Sequence, residues 1–196
     1  MTKYLEEETD YGEYFQIEQS EITVQSIKNC MKQKLADDIE YIEKNSVDPL
    51  SRLFFFIRTV YMIDNLVNII QGLRNNTPSQ RLMANLDPLG FFDELKTIKV
   101  ESEDFSTLYE SVLIDTPISQ YFLKFLEMNT SDLSDIAQIK AFFKETNNEN
   151  MRACLKKIWM EDFYEWVHSL NSISKDNMIN LLNMEADFKS IQVLFT

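Results

Sequence analysis

Few residues in this chain have the type and spacing to do chemistry. Glu165 and His168 stand at i, i+3 on a helical pattern, the spacing with which carboxylate-bridged di-iron bundles present a carboxylate and an imidazole to one metal. Such a site needs two of these pairs, and His168 is the only histidine in the chain. A single histidine near a helix end reads instead as a dipole partner or a surface residue. The absence of an HExxH pattern removes zincin chemistry on the same count. Asp37 and Asp38, with Glu40 and Glu43, are an acidic run that could hold a magnesium diphosphate, but the spacing is wrong, no second acidic motif faces it, and cations to receive the diphosphate are sparse. A solvated acidic helix face is the simpler reading. Asp64 and Glu185 are more unusual, because each lies on the apolar stripe of its helix. A carboxylate entering a helix core must be paired or protonated, so a buried structural ion pair is expected at each. No Gly-rich phosphate loop and no Ser/His/Asp or Cys/His set is present. No catalytic residue, cofactor site or metal ligand is assigned, and no small-molecule substrate is expected.

The elements that position these residues follow from composition. Among 196 residues there are only three Gly and four Pro, about a third of average usage, which argues for long helices over a turn-rich sandwich or barrel. The fold class expected is all-α. Apolar residues make up 44%, with 14 Phe and 8 Tyr, enough to offset the entropy of ordering despite the net charge of −13. That charge disfavours nucleic acid and anionic lipid headgroups as partners. Cys30 and Cys154 show no CxxC spacing, so neither a zinc knuckle nor a disulfide framework is indicated and a reducing compartment fits. No basic-then-apolar leader opens the sequence, so no secretory signal is expected. The greasiest stretch, Leu53 to Ile70, includes Arg58, Asp64, Asn65 and Asn68, which suits a buried helix and not a membrane span.

Periodicity places the helices. Val24, Ile27, Met31, Leu35, Ile39 and Ile42 form a stripe over 22–44, with Ser20 as N-cap. Asp48-Pro49 reads as N-cap plus N1 proline of a helix running past Val67 to Gly72 at C′. Thr77-Pro78 starts a short helix to Leu86, Asp87-Pro88-Leu89-Gly90 is a turn, and Phe91 to Val100 is a short helix or irregular link. Ser102 caps a helix carrying Phe105, Leu108, Val112 and Leu113, ended by Asp115-Thr116-Pro117; Pro117 opens another to about Met128. An amphipathic helix over 132–145 leads to a loop at Asn147–Asn150. A long helix on Leu155, Ile158, Trp159, Phe163, Trp166 and Leu170 follows, then one capped by Ser174 with Met178, Leu181, Leu182, Phe188, Ile191 and Phe195 on one face. Tyr14-Phe15 and Tyr121-Phe122, and the acidic segments from Asp38 and Asp162, recur in parallel order, which reads as a degenerate repeat of one helical lobe.

Six segments then carry a resemblance. Thr9-Asp-Tyr-Gly12, Tyr61-Met-Ile-Asp-Asn65, Asp87-Pro-Leu-Gly-Phe-Phe92, Leu108 to Pro117, Met160-Glu-Asp-Phe-Tyr164 and Glu185-Ala-Asp187 occur in the order and approximate spacing of subunit d of the eukaryotic vacuolar-type proton ATPase, which is similar to its archaeal and bacterial counterparts. The resemblance covers nearly all of this chain but only the middle of the family's. It implies a truncated form of an all-α funnel of pseudo-symmetric lobes, here 1–100 as a partial first lobe and connector and 101–196 as a second lobe packed continuously with it. It implies a non-catalytic subunit of the membrane (Vo) sector at the cytoplasmic face of vacuolar or other endomembranes, coupling central-stalk rotation to the proteolipid ring. The implied partners are the c-ring, central stalk subunits D and F, and subunit a. Asp64, Asn65, Pro88, Gly90, Asp115, Pro117, Glu185 and Asp187 are carried as structural motif residues, not catalytic ones. Two departures stand out. Asp87 replaces the family's usual His, and Phe188-Lys189 replaces two Arg, leaving Arg58 or Lys189 as substitute partners for Glu185 and Asp187. The alternative is a diverged free-standing helical adaptor of the same fold.

Overall fold

A computed structural model of the chain describes residues 4, 7–15, 23–97, 116–130, 136–171 and 173–194. The regular elements among them are all helical, as the Gly- and Pro-poor composition predicts: α1 (Gly12–Phe15), α2 (Val24–Asn45), α3 (Leu50–Arg74), α4 (Ser79–Ala84), 3-10 turns at Pro88–Gly90 and Asp93–Thr97, α5 (Ser119–Asn129), α6 (Ile136–Glu145), α7 (Asn148–Ser169) and α8 (Ser174–Leu194). The chain divides into two compact units, Met1–Glu103 and Asp104–Thr196.

In the first unit α2 is capped not at Ser20, which lies outside the described residues, but at Thr23. The Thr23 hydroxyl accepts from the Ser26 amide at 3.1 Å, and the Thr23 amide donates to the Ser26 hydroxyl at 2.9 Å. Two orphan amides are thereby satisfied reciprocally. The α2 stripe read as core is largely outward: Val24, Met31, Leu35 and Ile42 are exposed, and Ala36 is the buried apolar residue of this helix. α2 packs against α3 and against the Pro88–Gly90 turn.

The apolar centre of the unit is α3. Phe56, Met62, Ile63, Leu66, Val67, Ile69 and Ile70 are buried on more than one face, the pattern of a helix enclosed by its neighbours. Each such side chain contributes about 1.5–3 kcal/mol on burial. Two boundary expectations are corrected. Asp48 does not cap α3; Pro49 holds the N-cap position and no side chain bonds the first amides. Gly72 does not end the helix, which continues to Arg74. Asn76 takes the positive φ of 50°, the Thr77 amide donates to the Gly72 carbonyl at 2.8 Å and the Asn76 amide to the Leu73 carbonyl at 3.1 Å, which is a Schellman closure with asparagine at C′. Gly72 is required for a different reason: a Cβ there would lie 2.0 Å from Leu82 Cδ2, so its absence lets α4 seat on α3.

In the second unit the core is built from Ile118, Tyr121, Phe122, Phe125 and Leu126 with Ile139, Phe143, Met151, Leu155, Ile158, Trp159, Phe163 and Val167. The helix expected on Phe105, Leu108, Val112 and Leu113, its cap Ser102, and Asp115 lie outside the described residues. The segment read as a loop at Asn147–Asn150 is instead a helix start: the Asn147 side-chain oxygen accepts from the amides of Glu149 at 2.8 Å and Asn150 at 3.3 Å, capping α7. Polar residues clustered before an apolar run serve equally as loop or as cap, and here the cap geometry wins. α7 packs against both α5 and α8. The single apolar face expected for α8 is corrected: Leu182 is buried, whereas Leu181, Met184, Phe188, Ile191 and Leu194 are exposed. Residues one and two steps from Leu182 point away from α7 because each step turns about 100°.

Candidate functional site

Arg58, Tyr61 and Asn65 fall three and four apart on α3 and so share one face. Against that face runs the segment Asp87 to Phe91, antiparallel to the helix. At one end the Asn65 carboxamide donates to the Asp87 carbonyl at 2.9 Å and accepts from the Asp87 amide at 2.8 Å, satisfying both backbone groups of one residue. The Asp87 carboxylate accepts from the Leu89 amide at 3.2 Å and pairs with Lys32 of α2. Pro88 stands in the first 3-10 turn, where its missing N–H removes no bond. Gly90 lies against the helix backbone, because a Cβ would meet the Tyr61 carbonyl carbon and oxygen at 2.3 Å. At the far end Arg58 donates from Nε to the Leu89 carbonyl at 3.3 Å, from one terminal nitrogen to the Phe91 carbonyl at 2.6 Å, and from the other to Glu43 Oε2 at 2.7 Å. Arg58 is buried and Glu43 half-buried.

Of the motif residues taken from the sequence, the structure therefore brings Asn65, Pro88 and Gly90 together, with half-buried Asp64 beside them on α3. Asp115 is outside the described residues. Pro117 is half-buried in the turn before α5, where the Ser119 amide donates to the Thr116 carbonyl at 3.1 Å. Glu185 and Asp187 are exposed, which corrects the expected buried ion pair: Glu185 pairs along its own helix with Lys189 at 3.4 Å, both side chains nearly half accessible. Arg58, expected as a substitute partner for Glu185, is engaged by Glu43. Its role in holding the loop was missed from the sequence, although an arginine inside an apolar run must find acceptors. Lys32, on α2, carried no sequence signal that singled it out, and Glu43 was read only as part of the acidic face with Asp37, Asp38 and Glu40.

The two Tyr-Phe segments share a contact. The Tyr14 hydroxyl donates to Asp37 at 2.7 Å, tying α1 to α2, and the Tyr121 hydroxyl donates to Asp162 at 2.7 Å, tying α5 to α7. The Cys30 thiol adds a bond to the Tyr14 carbonyl at 3.3 Å. The Asp37 hydrogen bond, with burial and the charge of nearby carboxylates, pushes the Tyr14 hydroxyl up to about 12. Asp37 also accepts from Gln33 at 2.9 Å, and Asp38 pairs with Lys34 at 2.7 Å, holding the Lys34 ammonium above the usual lysine range. This acidic run is thus engaged within the chain. Glu165 and His168 are exposed, and the imidazole lies 4.5 Å from the Tyr164 ring centre. Among the described residues no group of three or more His, Cys, Asp or Glu side chains is placed to hold a metal ion.

These contacts position one segment against another, and the class they define is an all-helical protein whose polar side chains clamp a loop and tether short helices. The profile of the ATP synthase (C/AC39) subunit family matches residues 1–196, and the chain belongs to that family. It is 35% identical over 185 residues to the "Probable V-type proton ATPase subunit d 2" of Drosophila melanogaster, covering 94% of this chain and 49% of that protein. It is 34% identical over 185 residues to the "V-type proton ATPase subunit d1" of Arabidopsis thaliana, with the same coverages, and 33% identical over 187 residues to the "V-type proton ATPase subunit d" of Saccharomyces cerevisiae, covering 94% and 51%. The chain spans about half the length of the curated relatives it matches.

Proposed function

We propose that this chain acts as subunit d of a V-type proton ATPase: a non-catalytic part of the membrane sector that couples rotation of the central stalk to the proteolipid ring. The observation that carries the reading is the family match over the entire chain. The clamped loop and tethered helices support it in kind, because a mechanical coupler needs a braced helical frame and no reacting group. On this reading the contacts are protein surfaces, the partners are the proteolipid ring, stalk subunits D and F and subunit a, and the location is the cytoplasmic face of an endomembrane. The lobes 1–100 and 101–196 are two copies of one design, each with a Tyr-Phe helix bonded to a carboxylate on a longer helix. Affinity purification of the tagged chain from its own cells, in mild detergent, tests the proposal. Recovery of proteolipid, stalk and a subunits together is the expected result. A preparation free of all of them, from cells whose assembled pump is otherwise intact, overturns it.

A further inference from the structure

The tyrosine–carboxylate contact that both units share differs in its access. Tyr121 is 1% exposed, so the hydroxyl that donates to Asp162 is held inside the second unit. Tyr14 makes the same bond to Asp37 at 2.7 Å from a half-buried position, and Asp37 is exposed. Tyr14 belongs to α1, a helix of four residues, which is too short to persist without contacts from outside itself. Those contacts come from α2: the Tyr14 hydroxyl bond, the Cys30 thiol on the Tyr14 carbonyl at 3.3 Å, and the Lys34 ammonium 5.6 Å from the ring centre of Tyr11. Glu7, Glu8, Asp10 and Glu13 precede Tyr14 in the sequence, and the charges of Asp37, Asp38 and Glu13 act on its hydroxyl. Tyr41 and Tyr164 also follow carboxylates, but each stands inside a helix of 22 residues. A kinase reads its substrate as an extended segment, and a four-residue helix gives way to that form at far smaller cost than a long one.

We propose that Tyr14 is a phosphorylation site for a tyrosine kinase that selects acidic segments, and that the phosphoryl group releases α1 from α2. The Tyr14 hydroxyl oxygen attacks the γ-phosphorus of a nucleoside triphosphate, the bond from that phosphorus to the bridging oxygen breaks, and the nucleoside diphosphate leaves with the electron pair. The hydroxyl proton passes to the carboxylate base of the kinase. The ester has no proton to give Asp37 and brings a charge of about −1.5 to −2 beside Asp37, Asp38 and Glu13. A hydrogen bond thereby becomes a repulsion, and the Cys30 thiol loses the Tyr14 carbonyl on which it is held. Burial of Tyr121 withholds the equivalent hydroxyl in the second unit, so the repeated contact is a fixed tie in one unit and a switch in the other. The site stands independently of the rotary reading, since it follows from the access, charge and helix length around one side chain.

The test uses the full chain with the exposed Cys154 changed by Cys154→Ser, which leaves Cys30 as its one thiol. It is incubated with a tyrosine kinase domain of acidic substrate preference and Mg–ATP. Mass spectrometry locates the phosphoryl group, and the rate of maleimide labelling reads the release of Cys30. Phosphate is expected on Tyr14 and not on Tyr121, with Tyr14→Phe abolishing incorporation at that position. Labelling of Cys30 is expected to rise at least about tenfold on phosphorylation while the helical circular-dichroism signal stays in place. Asp37→Asn together with Asp38→Asn is expected to remove most of that rise, because the repulsion is then gone. Phosphate on Tyr11, Tyr41 or Tyr164 with Tyr14 left free overturns the proposal, as does a folded chain that takes up no phosphate. Phosphate on Tyr14 with Cys30 labelled no faster, a rise undiminished in the Asp37→Asn, Asp38→Asn chain, or loss of the helical signal on phosphorylation overturns it equally.

Discussion

Arg58 reaches three acceptors with one side chain, so Arg58→Ala leaves the Glu43 carboxylate and the carbonyls of Leu89 and Phe91 short of a donor at a buried site. Truncating one partner of such a pair costs about 3 kcal/mol, and denaturant titration should show that loss. Arg58→Lys keeps the charge but not the fork and should lose about half as much. The two close-packed glycines make a paired prediction. Gly90→Ala drives a Cβ into the Tyr61 backbone, which cannot move without bending α3, and should cost about 2–3 kcal/mol. Gly72→Ala meets only the Leu82 side chain, which can shift, and about 1 kcal/mol of helix propensity offsets that cost, so it should destabilise less than Gly90→Ala in thermal unfolding, which separates side-chain from backbone obstruction. Tyr14 provides a pH test. Its hydroxyl titrates near 12 in the folded chain against 10.0 ordinarily, so between these values the unfolded chain has released a proton that the folded chain keeps. Stability from this contact is complete below pH 10 and is lost as pH rises through 12. Tyr14→Phe should lower stability at neutral pH and flatten this alkaline decline, as followed by denaturant midpoints.

At the scale of elements, caps decide where helices begin, and local polar residues decide the caps. Asn147→Ala removes the acceptor for two amides at the start of α7 and should lower the second unit's stability by about 1 kcal/mol, measurable by chemical denaturation. Asn147→Asp, which keeps the acceptor, should show no such loss. The existence of nearly every described helix was legible in the apolar periodicity, because a three-to-four repeat is a property of one segment alone. The ends were less legible. Asn147 and Gly72 each admit two readings, loop or cap, terminator or close contact; Asn147 is settled by amides two and three residues on, whereas Gly72 depends on a neighbour its segment does not contain. For Gly72 that neighbour is Leu82.

The whole molecule offers a built-in reporter. Both tryptophans, Trp159 and Trp166, lie in α7 of the second unit, and the chain has no others. With two separately compact units, Arg58→Ala should lower the midpoint of the helical circular-dichroism signal while leaving the tryptophan fluorescence midpoint in place. Coincident shifts would show instead that the units unfold as one cooperative block.

The sequence by itself determined the all-helical class, the turn at Asp87–Gly90 and the family resemblance. These are set by composition, local periodicity and ordered motifs. Only the tertiary structure decided that Arg58 serves Glu43 and the loop and not Glu185, that the α2 and α8 stripes face outward, and that Asn65 and Gly90 act together on one loop. The reason is physical: a repeat of apolar residues says that a face should be covered, but which surface covers it depends on contacts between segments far apart in the chain. A buried charge likewise requires a partner without naming it, and the fold alone brings Glu43 within 2.7 Å of Arg58.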